Sequence, residues 1–161
     1  MSADLARQIV PATPLRANTA AAARTSVPLF SYENLRRHYD MGFEEKWQIC
    51  VVEKLIEFTN LPQDWDGYGA SPVKWDAGMF ALNVLSQVML PRTPVPQVVP
   101  SPVGGVQLEW HTNGVDLEFH VAAPYDCELW FEDHQTGRSA STVVTDDLSS
   151  LQEAVRILSS R

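Results

Sequence analysis

Gly105-Val-Gln-Leu-Glu-Trp-His-Thr-Asn-Gly114-Val-Asp-Leu-Glu-Phe-His-Val121 alternates apolar and polar residues on both sides of an Asn-Gly pair. Asn-Gly between two alternating runs predicts a two-residue hairpin, because both central residues of the favoured turn need positive φ. The turn then sets the register. Thr112 opposes Val115, Glu109 opposes Glu118, His111 opposes Asp116 and Gln107 opposes His120 on one face. Val106, Leu108, Trp110, Val115, Leu117, Phe119 and Val121 fill the other, which must be covered.

Moving outward, Cys127-Glu-Leu-Trp-Phe-Glu132 and Ser139 to Val144 read as two more strands. Their phase, with Cys127, Leu129 and Phe131 inward, adds Glu128 and Glu132 to the polar face. Pro91 to Pro102 carries Pro91, Pro94, Pro96, Pro100 and Pro102. Proline cannot donate to a ladder, so this stretch is extended or at most an edge strand. Three helices are expected. Phe43, Trp47, Cys50, Val51, Leu55 and Phe58 recur at helical spacing up to about Asn60, with Glu44 and Glu45 favourable in the first turn. A second helix is expected from Ser71-Pro72, with stripe Trp75, Met79, Leu82, Leu85 and Met89. Asp146 or Asp147 is expected to cap a third that buries Leu148, Leu151, Val155 and Leu158. The pattern predicts an α+β domain, an antiparallel β-meander of about four strands packed on one face by helices. Residues 29–161 form that single domain, and residues 1–28, with Pro11, Pro14 and Pro28 among small and polar residues, are expected to be a flexible N-terminal tail.

The 161 residues carry 20 Asp and Glu against 12 Lys and Arg, a formal net charge of −8. Such a chain repels phosphate backbones and anionic lipid, so neither nucleic acid nor a membrane surface is an expected partner. A basic protein surface is. Cys50 and Cys127 fit reduced, buried thiols in the cytoplasm. No segment reads as an export signal or a membrane span. P-loop, dinucleotide, CxxC and HExxH motifs are missing from the sequence, and no cofactor is implied.

Leu61-Pro-Gln-Asp-Trp-Asp-Gly-Tyr-Gly-Ala-Ser-Pro72 is the second unusual stretch. Its glycines and aspartates encode a tight turn, and Trp65 and Tyr68 either fold back as a lid or join Asp66 in a binding surface. The calcium-like Asp64-x-Asp66 start lacks the remaining ligands of an EF-hand loop. With Gly104-Gly105-Val-Gln-Leu-Glu-Trp110, this loop resembles a group of small bacterial proteins with a Leu-Pro-x-x-Trp-Asp-Gly-Tyr-Gly-Ala loop and a Gly-Gly-x-Gln-Leu-Glu-Trp strand. The resemblance runs from Leu61 to Thr136. It implies a bacterial or phage origin and makes loop and hairpin one unit, but it brings no catalytic residues.

The candidate site is therefore the polar sheet face, Glu109, Glu118, Asp116, His111 and His120, together with Trp65, Asp66 and Tyr68. The first expectation is a small accessory protein that binds a macromolecular partner, of the antitoxin, immunity or inhibitor type. A metal-dependent hydrolase using His111, His120, Glu109 and Glu118 is the alternative, since imidazoles with carboxylates bind zinc, manganese or iron. An ordinary solvated face is the third possibility.

Overall fold

The computed structural model describes residues 46–161. The tail expected over residues 1–28, and Phe43, Glu44 and Glu45 of the first helix, lie outside them. Two helices come first, α1 (Lys46–Thr59) and α2 (Trp75–Val88). Five strands follow, β1 (Gln97–Pro100), β2 (Val106–Thr112), β3 (Val115–Ala123), β4 (Asp126–Asp133) and β5 (Arg138–Val144), and α3 (Ser149–Ser159) ends the chain. The strands form one antiparallel sheet in sequence order. The fold is α+β, with one strand more than the meander of about four. The additional strand is β1, the proline-flanked stretch, which sits at the edge where a missing N–H is tolerated.

The hairpin register is the expected one throughout, Glu109 facing Glu118 and His111 facing Asp116. Asn113 and Gly114 take φ of 56° and 70°, as the two-residue turn requires. The inner face is buried from end to end: Val106, Leu108, Trp110, Leu117, Phe119, Val121, Cys127, Leu129 and Phe131 join one core with the helices. α2 crosses β3 and β2, α1 lies by β1, and α3 packs on β3. Trp110, 2% exposed, donates its indole N–H to the Pro94 carbonyl at 2.8 Å, so its one polar atom is satisfied inside the core.

Four helix details depart from the sequence reading. α2 starts at Trp75, because Ser71 does not cap a helix there: it forms a parallel bridge with Val103 and donates its N–H to Pro102. Its buried stripe is Ala77, Gly78, Ala81, Leu82, Val84, Leu85 and Val88, with Trp75, Met79 and Met89 only half-buried. The small residues let the helix come close to α1, where a Cβ on Gly78 would stand 3.4 Å from Leu55. On α1 the buried arc runs through Trp47, Gln48, Val51, Val52, Leu55 and Phe58, which turns Cys50 outward. Cys50 is an exposed free thiol, not a buried one. For α3 the N-cap position falls on Leu148, which has no side-chain cap, and not on an aspartate; Asp147 just before it accepts the Ser149 N–H at 2.9 Å.

The C-terminus is fastened to the sheet. Asp133, in the inward phase of β4, is almost fully covered and accepts from Arg161, Thr136 and the Gln135 and Thr136 N–H groups. The Arg161 guanidinium, at 2.6 Å, holds that carboxyl well below its ordinary range. Asn113 donates from the hairpin turn to the Leu158 carbonyl at 3.1 Å, which ties α3 to the same corner. Among the described residues no helix is long and apolar enough to cross a membrane.

Candidate functional site

Among the described residues no helix covers the outer sheet face, which presents Gln107, Glu109 and His111 from β2, Asp116, Glu118 and His120 from β3, and Glu128, Trp130 and Glu132 from β4. Alternation places them there and the turn aligns them. Across the ladder Glu109 and Glu118 are neighbours, and the Gln107 amide lies between them, its Nε2 donating to Glu109 at 2.9 Å and to Glu118 at 3.0 Å. One neutral donor thus offsets part of the like-charge repulsion that strand pairing imposes.

At the turn end of the face, Asp116 holds two imidazoles. Its Oδ1 lies 2.9 Å from His111 Nδ1 and its Oδ2 lies 2.7 Å from His134 Nε2. Glu109 stands 3.5 Å from the far nitrogen of His111, and Glu132 3.8 Å from that of His134. The hydrogen bond that His111 donates to Asp116 is the main reason the His111 pKa is raised, and the two imidazoles hold the Asp116 carboxyl below its ordinary value. His134 was not among the residues singled out from sequence. It follows β4 directly, and its N–H bonds the Gly114 carbonyl at 3.0 Å, which sets the ring beside Asp116. Extending the β3–β4 register one step past the Val115 and Asp133 pair would have found it.

His120 does not join this group. It sits four residues further along β3, opposite Gln107 and Glu128, over the backbone of Gly105. There Gln107, Glu118, His120, Glu128, Trp130 and Ser141 line a shallow pocket of about 150 Å³. The metal alternative thereby loses its ligand set: among the described residues no three His, Cys, Asp or Glu side chains stand where one ion could be held. Both oxygens of Asp116 are already engaged. Cys127 offers no nucleophile either, as burial first, and Asp126 second, push its thiol up to about 11.

The Trp65 loop is a closed turn. Asp64, at φ 66°, accepts from Gly69, and Asp66 Oδ1 accepts from Tyr68 at 2.8 Å and Ala70 at 3.0 Å, which lowers the Asp66 pKa. Trp65 folds back and donates to the Ser71 carbonyl at 3.0 Å. Tyr68 does not: its side chain leaves the turn, and the residue is 94% exposed. Of the three loop residues proposed for contact, Tyr68 is the most exposed, while Trp65 and Asp66 are half-buried. Loop and hairpin are one unit, because Ser71 bridges Val103 and the Lys74 N–H bonds the Gly104 carbonyl at 2.8 Å. The glycine after it is obligatory by proximity, since a Cβ on Gly105 would stand 2.5 Å from the Val121 carbonyl oxygen. The loop therefore docks at the start of β2, and the Asp116 cluster lies about 20 Å away at its other end, by the rise of a seven-residue strand.

No family model, curated protein or solved structure matches this chain.

Proposed function

We infer that this chain is a binding protein of the antitoxin, immunity or inhibitor type, a small bacterial or phage accessory protein whose outer sheet face takes the basic surface of a protein partner. One observation carries this: Glu109, Asp116, Glu118, Glu128 and Glu132 share a face onto which β1 to β5 project no Lys or Arg. A face of one sign on a chain of net charge −8 speeds encounter with a cationic surface and repels nucleic acid. Trp130, partly exposed between Glu118 and Glu128 in the shallow pocket, adds an aromatic wall suited to a Lys or Arg side chain. Tyr68 supplies a second contact at the loop end. Exposed Cys50, unpaired with Cys127, suits the reducing cytoplasm.

The test compares the immobilised chain with its Glu109→Gln, Glu118→Gln, Glu128→Gln triple variant in a pull-down from host cell extract, read by mass spectrometry. A basic protein retained by the first, released by moderate salt and lost by the second is the expected result. Equal retention by both would reject the outer face as the contact surface and leave Tyr68→Ala as the next variant to measure.

A further inference from the structure

Among the described residues the sheet has two edges, and only one is defended. β1 is short, and Pro94, Pro96 and Pro100 in and before it remove donors that a foreign strand would need. β5 is seven residues long and, among the described residues, pairs on one side only, with β4. It has no proline, and from Ser139 to Thr145 it has no charge. Strands of this kind template further pairing unless something covers them.

The layer beneath β5 is open as well. Leu129 and Phe131 of β4 are buried, yet their ladder partners Thr142 and Ala140 are exposed. Between these strands and α3 lies a cleft of about 340 Å³ with an apolar floor of Leu129, Phe131, Ala140, Ala154 and Ile157 and a polar rim that includes Arg138 and Glu153. On the outer side Val143 is 69% exposed.

Charge selects the occupant. Arg138 opens β5, and Asp146 and Asp147 follow its end. A second β5 laid antiparallel brings each cationic end to the other's anionic end and puts the two neutral centres together. We propose that this chain forms a two-fold symmetric homodimer by antiparallel pairing of β5 with β5 of a second copy, joining the two sheets into one. In the register centred on Ser141, Arg138 stands opposite the partner's Val144, within reach of the partner's Asp146. The two clefts under β5 then meet across the two-fold axis and shield each other's apolar linings, as a self-complementary interface requires. The net charge of −8 opposes association, but at physiological salt it is screened beyond about 8 Å. So small a contact gives a reversible dimer, with a Kd on the order of 10 μM.

Sedimentation equilibrium of the full chain across that range tests this. The mass is expected to rise with concentration from 18.0 kDa toward twice that value. Ser141→Lys places two ammonium groups against each other at the axis and should raise the Kd at least about tenfold; Ser141 also borders the outer-face pocket, but sedimentation reads self-association apart from binding there. Arg138→Asp should also weaken pairing, and Arg138→Asp with Asp146→Arg should restore it. Circular dichroism melts establish that each variant is folded, and the charge swap decides if Ser141→Lys is not. A single 18.0 kDa species at every concentration overturns the proposal, as does association that Ser141→Lys and the charge swap leave unchanged.

Discussion

The two faces of the β2–β3 hairpin share one backbone and are stabilised in different ways. Val106, Leu108, Trp110, Leu117 and Phe119 point one way and are buried; Gln107, Glu109, His111, Asp116 and Glu118 point the other and keep water. On the inner face each side chain is held by many neighbours, so its removal leaves a void. Each outer side chain is held by one or two polar partners, so its removal leaves solvent. The inner face therefore fixes the fold, while the outer face is free to carry charge for another purpose.

The largest expected effect falls inside. Trp110→Ala should cost roughly 3–5 kcal/mol in a denaturant melt, because it opens a cavity and orphans the Pro94 carbonyl. A loss under about 1 kcal/mol would break the comparison, since it would mean that the strand faces are exchanged.

Asp133 sharpens it, being a charge in the inward phase. Asp133→Asn weakens the hydrogen bond from Arg161, and the melting temperature should fall by several degrees. Its pKa is depressed in the folded chain, so the stability it contributes is present above the ordinary carboxylate value of 3.8 and is lost as pH falls through and below it. Acid titration of wild type against Asp133→Asn reads this directly: the two should converge toward low pH.

On the outer face the pH effect has two sides. His111 is raised from 6.5, so its contact with Asp116 contributes fully below that pH and fades as pH rises through the higher folded value. Asp116 is lowered from 3.8, so its contribution is present above that pH and fades in acid. The cluster is thus most stabilising near pH 5. Asp116→Asn should cost about 0.5 kcal/mol there, as expected for half-exposed groups, and less at pH 8. Equal costs at both pH values would remove the imidazoles from the interaction.

The smallest effect is expected at Glu118→Gln. It relieves repulsion with Glu109 but weakens the hydrogen bond from Gln107, so stability should change by no more than a few tenths of a kcal/mol. A loss above about 1 kcal/mol would show that the outer face, too, holds the fold.

Sequence alone determined what short-range geometry dictates. A period of two, interrupted by Asn113-Gly114, sets turn, register and buried face together, because slipping one residue would expose every apolar side chain of the hairpin. The same periodicity carried the inward phase of Cys127, Leu129 and Phe131 and the facing pair Glu109 and Glu118. Tertiary structure decided the rest, where distant segments compete for one partner. Ser71 left a helix cap for a bridge to Val103, small Ala77, Gly78 and Ala81 took the buried side of α2 in place of Trp75 and Met79, and Cys50 turned to solvent because Gln48 and Val52 took the core side. His134 became a site residue only when the β3–β4 pairing carried it to Asp116, since it lies one step past the end of β4, where the alternation that reads the strand has stopped.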